Sequence, residues 1–364
     1  MDVSARTASL IAEVFRASPL RHGNFRLFYA GSIAAALGYT MQATVAAWLM
    51  ATLTPSAFMV ALVQTASTAP SLLFGLLSGS LADIVDRRRV VLMTQGVLFA
   101  ATVSLGIATL IGWIGPLTLL ALTFLIGTAF TFYLPAQQAS INDLVSRQDL
   151  PRAVALGAVA FNLARAVGPA LAGAIAAWIG TGSASIASAC FFVVTIVALK
   201  GNTPALPGVP ETLFSGVRSG LRYARHSPLM RALIIRNLSF SVCASALWAL
   251  LPVIARDQLS LGAGGFGLLS GGFGVGAIAG ALTIPRQLQR VSLNTVVSAA
   301  ILLWVGATLL IASTALTAVA LVGMFGAGAA WVGVLASLSA GTQSAAPAWV
   351  RARAVAMNLV AMQA

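Results

Sequence analysis

Charge is missing from long stretches of this chain. Residues 27–82, 90–142 and 291–350 contain no Lys, Arg, Asp or Glu, and shorter charge-free runs fill 166–199 and 258–285. One bilayer crossing by an α-helix takes ~20 apolar residues, so each of the three long runs holds two crossings and a turn. The turns are expected where breakers or small polar residues gather: Thr54-Pro55-Ser56, Gly112-Trp113-Ile114-Gly115-Pro116, and Ala312-Ser313-Thr314. A fourth helical pair fills 153–199, turning at Gly180-Thr181-Gly182-Ser183, and single spans occupy about 237–255 and 264–284. Only 8% of residues are charged, against about a quarter in soluble domains, which excludes a water-soluble enzyme.

The net charge of +13 is of the kind that draws a chain to nucleic acid, but its placement argues otherwise. The basic residues cluster at the ends of apolar runs, as cytoplasmic loops of membrane proteins do. With ten spans and both ends in the cytoplasm, all of the 21 basic residues except Arg165 and Arg256 fall on the inner side. Trp48, Trp113 and Trp178 then lie at the outer ends of the first, third and fifth spans, where an interfacial indole belt belongs. The arginines before the first span precede an apolar run far longer than a signal-peptide core, so the first span is a retained anchor. Cys190 and Cys243 sit inside apolar segments and suggest no disulfide framework.

The expected organisation is a cytoplasmic segment over 1–24, a six-helix bundle over 25–200, a linker over 201–228 and a second, incomplete bundle over 229–364. Pro204, Pro207 and Pro210 mark the linker. After them Leu213, Val217, Leu221 and Ala224 share one helical face and Arg218, Arg222 and Arg225 another, which suits a helix lying on the anionic inner leaflet. The halves also echo one another. Arg152-Ala153-Val154-Ala155 recurs as Arg353-Ala354-Val355-Ala356, and Pro19-Leu20 answers Pro228-Leu229. On this repeat the chain reaches only the start of an eleventh span, and the second copy would continue about 36 residues beyond Ala364.

The loop after the second span reads Gly79-Ser80-Leu81-Ala82-Asp83-Ile84-Val85-Asp86-Arg87-Arg88-Arg89. Its Gly79, Leu81, Asp83, Arg87 and Arg88 resemble the signature loop of the major facilitator superfamily, although Ile84 and Asp86 depart from the common pattern. Asp before a basic run is similar to the enterobactin-exporter branch. So are Asn24-Phe25-Arg26-Leu27, Pro70, Pro135-Ala136 and Gly220-Leu221-Arg222-Tyr223. In the fifth span Gly168, Pro169 and Gly173 resemble a motif of exporters in this superfamily, with Ala164 and Ala172 where glycines are usual. The resemblance implies an all-α polytopic membrane protein of two bundles. It also implies that Asp83 latches onto the start of the eleventh span near Arg351 and Arg353, a cytoplasmic gate.

Physically, Gly79 lets two helices approach and Pro169 removes a helix hydrogen bond and bends the span. Asp83, at a helix C-terminus, is expected to seek Arg87, Arg88 or the N-terminus of another helix. Arg165 falls about 20 Å along its helix from Arg152, near the bilayer centre, where a charge needs a cavity or a partner. Two readings stay open: an anion-attracting site in the translocation pathway, or a structural charge tied to carbonyls or to Asp83. Asn162 is one turn away on the same face, and Gln42 and Gln64 fall at similar depths where they could line the cavity together.

No Cys, His and carboxylate cluster has metal-ligand spacing, and His22 and His226 both flank spans. Gly265-Phe266-Gly267-Leu268-Leu269-Ser270-Gly271 lies within an apolar span without the strand that a nucleotide loop requires. Neither catalysis, a cofactor nor nucleic acid is expected. The family resemblance implies a monomeric secondary transporter of the bacterial inner membrane, held in lipid. It would export a siderophore-like or drug-like small molecule by alternating access, driven by protons. All eight acidic residues fall in loops or at span ends, so Asp83 is the one candidate for coupling. An uptake carrier of the same fold and a non-transporting membrane remnant are the rivals.

Overall fold

A computed structural model describes residues 19–146, 148–200 and 227–345. After a 3-10 turn at Pro19–Arg21 come ten long helices: α1 Gly23–Leu53, α2 Ala57–Ile84, α3 Arg87–Leu110, α4 Pro116–Leu144, α5 Leu150–Ile179, α6 Thr181–Lys200, α7 Pro228–Val253, α8 Ala263–Leu288, α9 Leu293–Ser313 and α10 Thr317–Ala345. A π-helical turn, Ile254–Gln258, extends α7. No strand occurs among the described residues, and all ten helices carry a stretch long and apolar enough to cross a membrane. The expected turns coincide with the observed breaks. The single spans prove longer than the charge-free windows suggested, because Arg231, Arg236 and Arg286 are helical too. The expected linker helix and the start of an eleventh span lie outside the described residues.

Local chemistry sets the boundaries. Ser56, Ser227 and Ser292 each accept a hydrogen bond from the backbone three residues on, and Asp86 accepts one from Arg88 N–H at 2.9 Å to start α3. Pro116 and Pro228 open their helices, where a missing N–H costs no helical bond. Gly180, at φ +89°, ends α5 in a conformation that disfavours other residues.

In the first bundle α1 packs on α5 and α6, α3 on α4 and α6, and α2 on α4. In the second, α8 and α9 pack on α10 as α2 and α3 pack on α4. Large apolar side chains such as Met93, Leu302 and Val322 point outward, as a lipid-facing surface requires. Between apolar helices in lipid, close backbone approach replaces the hydrophobic effect as the cohesive force. A Cβ on Gly276 would land on the backbone of Phe325, and one on Gly328 would land on that of Phe273, which clamps α8 to α10.

Trp113 and Trp178 are 81% and 89% exposed, as interfacial indoles should be, whereas Trp48 is only 8% exposed. That indole turns inward and stacks on Phe266 of α8, with ring centres 5.7 Å apart. The belt expected of three tryptophans is therefore made by two. The third seals a protein contact, because α8 begins beside the outer end of α1.

Gly276→Ala is expected to destabilise the second bundle by about 1–3 kcal/mol, the usual cost of overpacking. Gly306→Ala, where no described residue lies within 4 Å of the added Cβ, should leave it unchanged. Thermal unfolding in detergent, with the two variants side by side, checks this.

Candidate functional site

The halves meet along α5 and α8, and small residues draw the two backbones together. A Cβ on Gly173 would stand 2.7 Å from Gly267 Cα, and one on Gly274 would overlap Ala166 Cα. On the other flank of α5, Thr40 of α1 donates to Ala164 O at 3.0 Å, and Gly168 leaves room for the Thr40 side chain. Gly168 and Gly173 thus pack α5 against α1 and α8. Pro169 lies within α5 between them, and its carbonyl is 2.6 Å from where a Cβ on Gly267 would stand.

This close approach carries Arg165 across the seam. Its guanidinium carbon lies 5.8 Å from the ring centre of Trp248 on α7 and 5.7 Å from that of Phe273 on α8. Trp248 and Phe273 meet edge to face at 4.4 Å, and Trp331 of α10 lies 6.4 Å from each. Phe240 and Trp304 complete the cluster, 5.7 and 5.6 Å from Trp331. Among the described residues Arg165 has neither an ion pair nor a hydrogen bond. A central arginine costs ~2.5–3.5 kcal/mol to insert. Each ring face returns about 0.5–2 kcal/mol, so the aromatics offset much of that cost. They supply no acceptor for the in-plane N–H edges.

The other expected pathway residues are dispersed. Asn162 lies on α5 a turn from Arg165 and donates to its own helix at Ala158 O, 2.9 Å away. Gln64 is half-buried on α2. Gln42 is buried between α1 and α6, where its Oε1 accepts from Ser188 Oγ at 3.0 Å. It faces the interior of the first bundle and does not join Gln64 in lining a cavity, because Gly38, one turn earlier, lets α6 close over that face.

At the opposite ends of α3 and α4 from their shared turn, Arg87 reaches Asp143 of α4 at 2.7 Å and Ala139 O at 3.3 Å. The α4 carboxylate was not anticipated from sequence, since 56 residues separate the pair. Arg88 helps to start α3 through its backbone N–H, and Leu81 is exposed. Among the described residues nothing lies within 4 Å of a Cβ on Gly79. The close packing that Gly79 was expected to allow is therefore not seen among the described residues. The Asp83 side chain, Arg351 and Arg353 lie outside the described residues.

Nearby, Arg21 binds Asp149 at 2.8 Å, and Ser146 Oγ donates to the same carboxylate at 3.1 Å, tying the start of α1 to the start of α5. Burial pushes the Asp149 carboxyl up, but the Ser146 hydrogen bond and the positive charges of Arg21 and His22 outweigh it and hold the pKa below the usual value. A lowered native pKa stabilises the fold above the unfolded value, about 3.9, and that contribution is lost as pH falls through the native one.

At the outer end Arg256 closes the seam. Its guanidinium donates to Ala51 O and, at 3.0 Å, to Thr54 O, the last carbonyls of α1, and it pairs with Asp257 at 2.5 Å. A cation suits a helix C-terminus. Val253 packs beside this clasp against the first bundle.

A family profile described as transmembrane secretion effector matches residues 15–364. The chain belongs to that family of major facilitator transporters. It is 23% identical to the staphyloferrin A transporter of Staphylococcus aureus over 74% of this chain and 68% of that one. It is 28% identical to the enterobactin exporter of Shigella flexneri over 57% of this chain and 49% of that one. Across the curated relatives it matches, the chain spans about half to two-thirds of their length. Among solved structures it is similar to the nucleoside transporter NupG, with a TM-score of 0.75 at 14% identity, covering 93% of this chain and 87% of that one. The likeness shows the fold: this is a multi-pass membrane protein built as these transporters are.

The aromatic partners of Arg165 had a partial signal in the sequence. Trp248, Trp304 and Trp331 fall in the middle of spans, where an interfacial belt cannot use them.

Two outcomes follow. In a chain whose native cysteines are replaced, Val253→Cys should react slowly with an impermeant maleimide, and adding Arg256→Ala should speed labelling severalfold. Asp149→Asn should lower the unfolding temperature at pH 7 and reduce the loss of stability that the parent shows on acidification below about pH 4, as thermal melts across pH check.

Proposed function

We propose that this chain performs secondary active export of a siderophore-like or drug-like small molecule across the bacterial inner membrane, both chain ends facing the cytoplasm. The observation that carries the reading is Arg165, a fixed positive charge at mid-span on the seam between two bundles, with no carboxylate to neutralise it among the described residues. A permanently charged, half-buried group at that place recruits an anionic solute. The names of the relatives support the substrate class: one is a staphyloferrin A transporter, another an enterobactin exporter, a third a multidrug efflux pump.

In this reading a monomer rocks its two bundles about the α5–α8 contact. The loop of Gly79, Leu81, Asp83, Arg87 and Arg88 gates the cytoplasmic side, and the Arg256 clasp gates the outer one. Arg165, Asn162 and Gln64 face the path, and Gly168, Pro169 and Gly173 give α5 the bend and the close packing that rocking needs. Protons supply the drive, with Asp83 as the coupling candidate.

Everted vesicles from cells expressing the chain test this with a radiolabelled iron-free siderophore. Energising them with NADH should load the vesicles, a protonophore should abolish loading, and Arg165→Ala should reduce it at least about tenfold while membrane insertion is preserved. Loading only of right-side-out vesicles would make the protein an uptake carrier, and loading of neither kind would make it a non-transporting remnant.

A further inference from the structure

Two sets of donors in the aromatic cluster lack acceptors among the described residues. The Arg165 guanidinium rests over the rings of Trp248 and Phe273 but has no hydrogen-bond or ion-pair partner among the described residues. The indole N–H of Trp331 is buried and has no acceptor among the described residues. Both belong to one patch, since Trp331 lies 6.4 Å from both Trp248 and Phe273. Arg165, Trp248 and Trp331 are each half-buried, so the patch is partly open at the seam, whereas Phe240, Phe273 and Trp304 behind them are buried and fix the ring positions.

These groups make a specific chemical demand. A guanidinium presents a planar fork of donors at its edge, which a carboxylate fills with two parallel bonds. The cation already lies over two rings, so a planar conjugated ligand bound to it would place its own ring against indole. A saturated anion would satisfy the charge and waste the rings. A neutral aromatic would use the rings and leave the charge without an acceptor.

We infer that Arg165, Trp248 and Trp331 form a binding site for a planar aromatic anion, the carboxylate on Arg165 and the conjugated ring against the two indoles. The inference rests on the proposed transport function for its purpose and narrows the substrate to molecules bearing an aryl carboxylate or a similar aromatic anion. Trp331 adds selectivity, because it stands at 82° to Trp248 and its in-plane N–H can donate to a ring hydroxyl or a carboxylate oxygen of a ligand stacked on Trp248.

The test is equilibrium dialysis of radiolabelled 2-naphthoate against the full chain in lipid nanodiscs, with empty nanodiscs subtracted. Saturable binding near one molecule per chain is expected. Cyclohexanecarboxylate and 2-naphthylmethanol should each compete at least about tenfold less well than unlabelled naphthoate, and Arg165→Gln should weaken binding by a similar factor. Trp248→Leu should weaken it as well, and it carries the test if the Arg165 variant fails to fold. Trp331→Phe, which keeps a ring and loses the N–H, should reduce affinity less than Trp331→Leu. Equal competition by cyclohexanecarboxylate, or undiminished binding by Arg165→Gln, would overturn the site. Naphthoate binding that depends on Arg165 in a chain that loads no vesicle would sink the export reading and leave the site standing. Export without naphthoate binding would do the reverse.

Discussion

Apolar helices surrounded by hydrocarbon gain nothing by hiding from it, so what joins them must be contact at short range. That constraint explains why the seam between the halves is made of glycine and alanine. Gly173 meets Gly267, and Gly274 meets Ala166, at separations that no larger residue permits. Everything distinctive about the site follows from this approach. Were α5 and α8 farther apart by the width of a side chain, the Arg165 guanidinium could not rest on Phe273.

The architecture was readable because charge is so costly in a membrane that its absence marks out the spans. The breaks at Thr54, Gly112, Gly180 and Ser313 needed only local chemistry. Pairings across the sequence were another matter. Nothing about Arg87 shows that its partner is Asp143, and nothing about Arg165 singles out rings 83 and 108 positions later. Trp48 shows the limit well. An indole at the end of an apolar helix has one sequence signature whether it meets lipid or protein, and only the position of α8 decides between them.

Glutamine exposes a similar ambiguity. Gln42 and Gln64 looked alike by depth, yet the Gln42 side chain is buried and hydrogen-bonded to Ser188 inside a bundle, whereas Gln64 is half-buried on α2. Depth along a helix is a one-dimensional quantity. The direction in which a side chain points depends on which neighbour closes over it, and for Gln42 that neighbour is α6, admitted by Gly38.

The clasp at the outer end has a consequence for variation. Arg256 grips Ala51 and Thr54 through their main-chain oxygens, and every residue type offers the same atom there. The tip of α1 can therefore drift in identity without loosening the grip, provided its helix still terminates at that point. All the selective burden falls on one arginine. A search for covarying pairs would find no signal for a fastening that physically joins the two halves of the molecule.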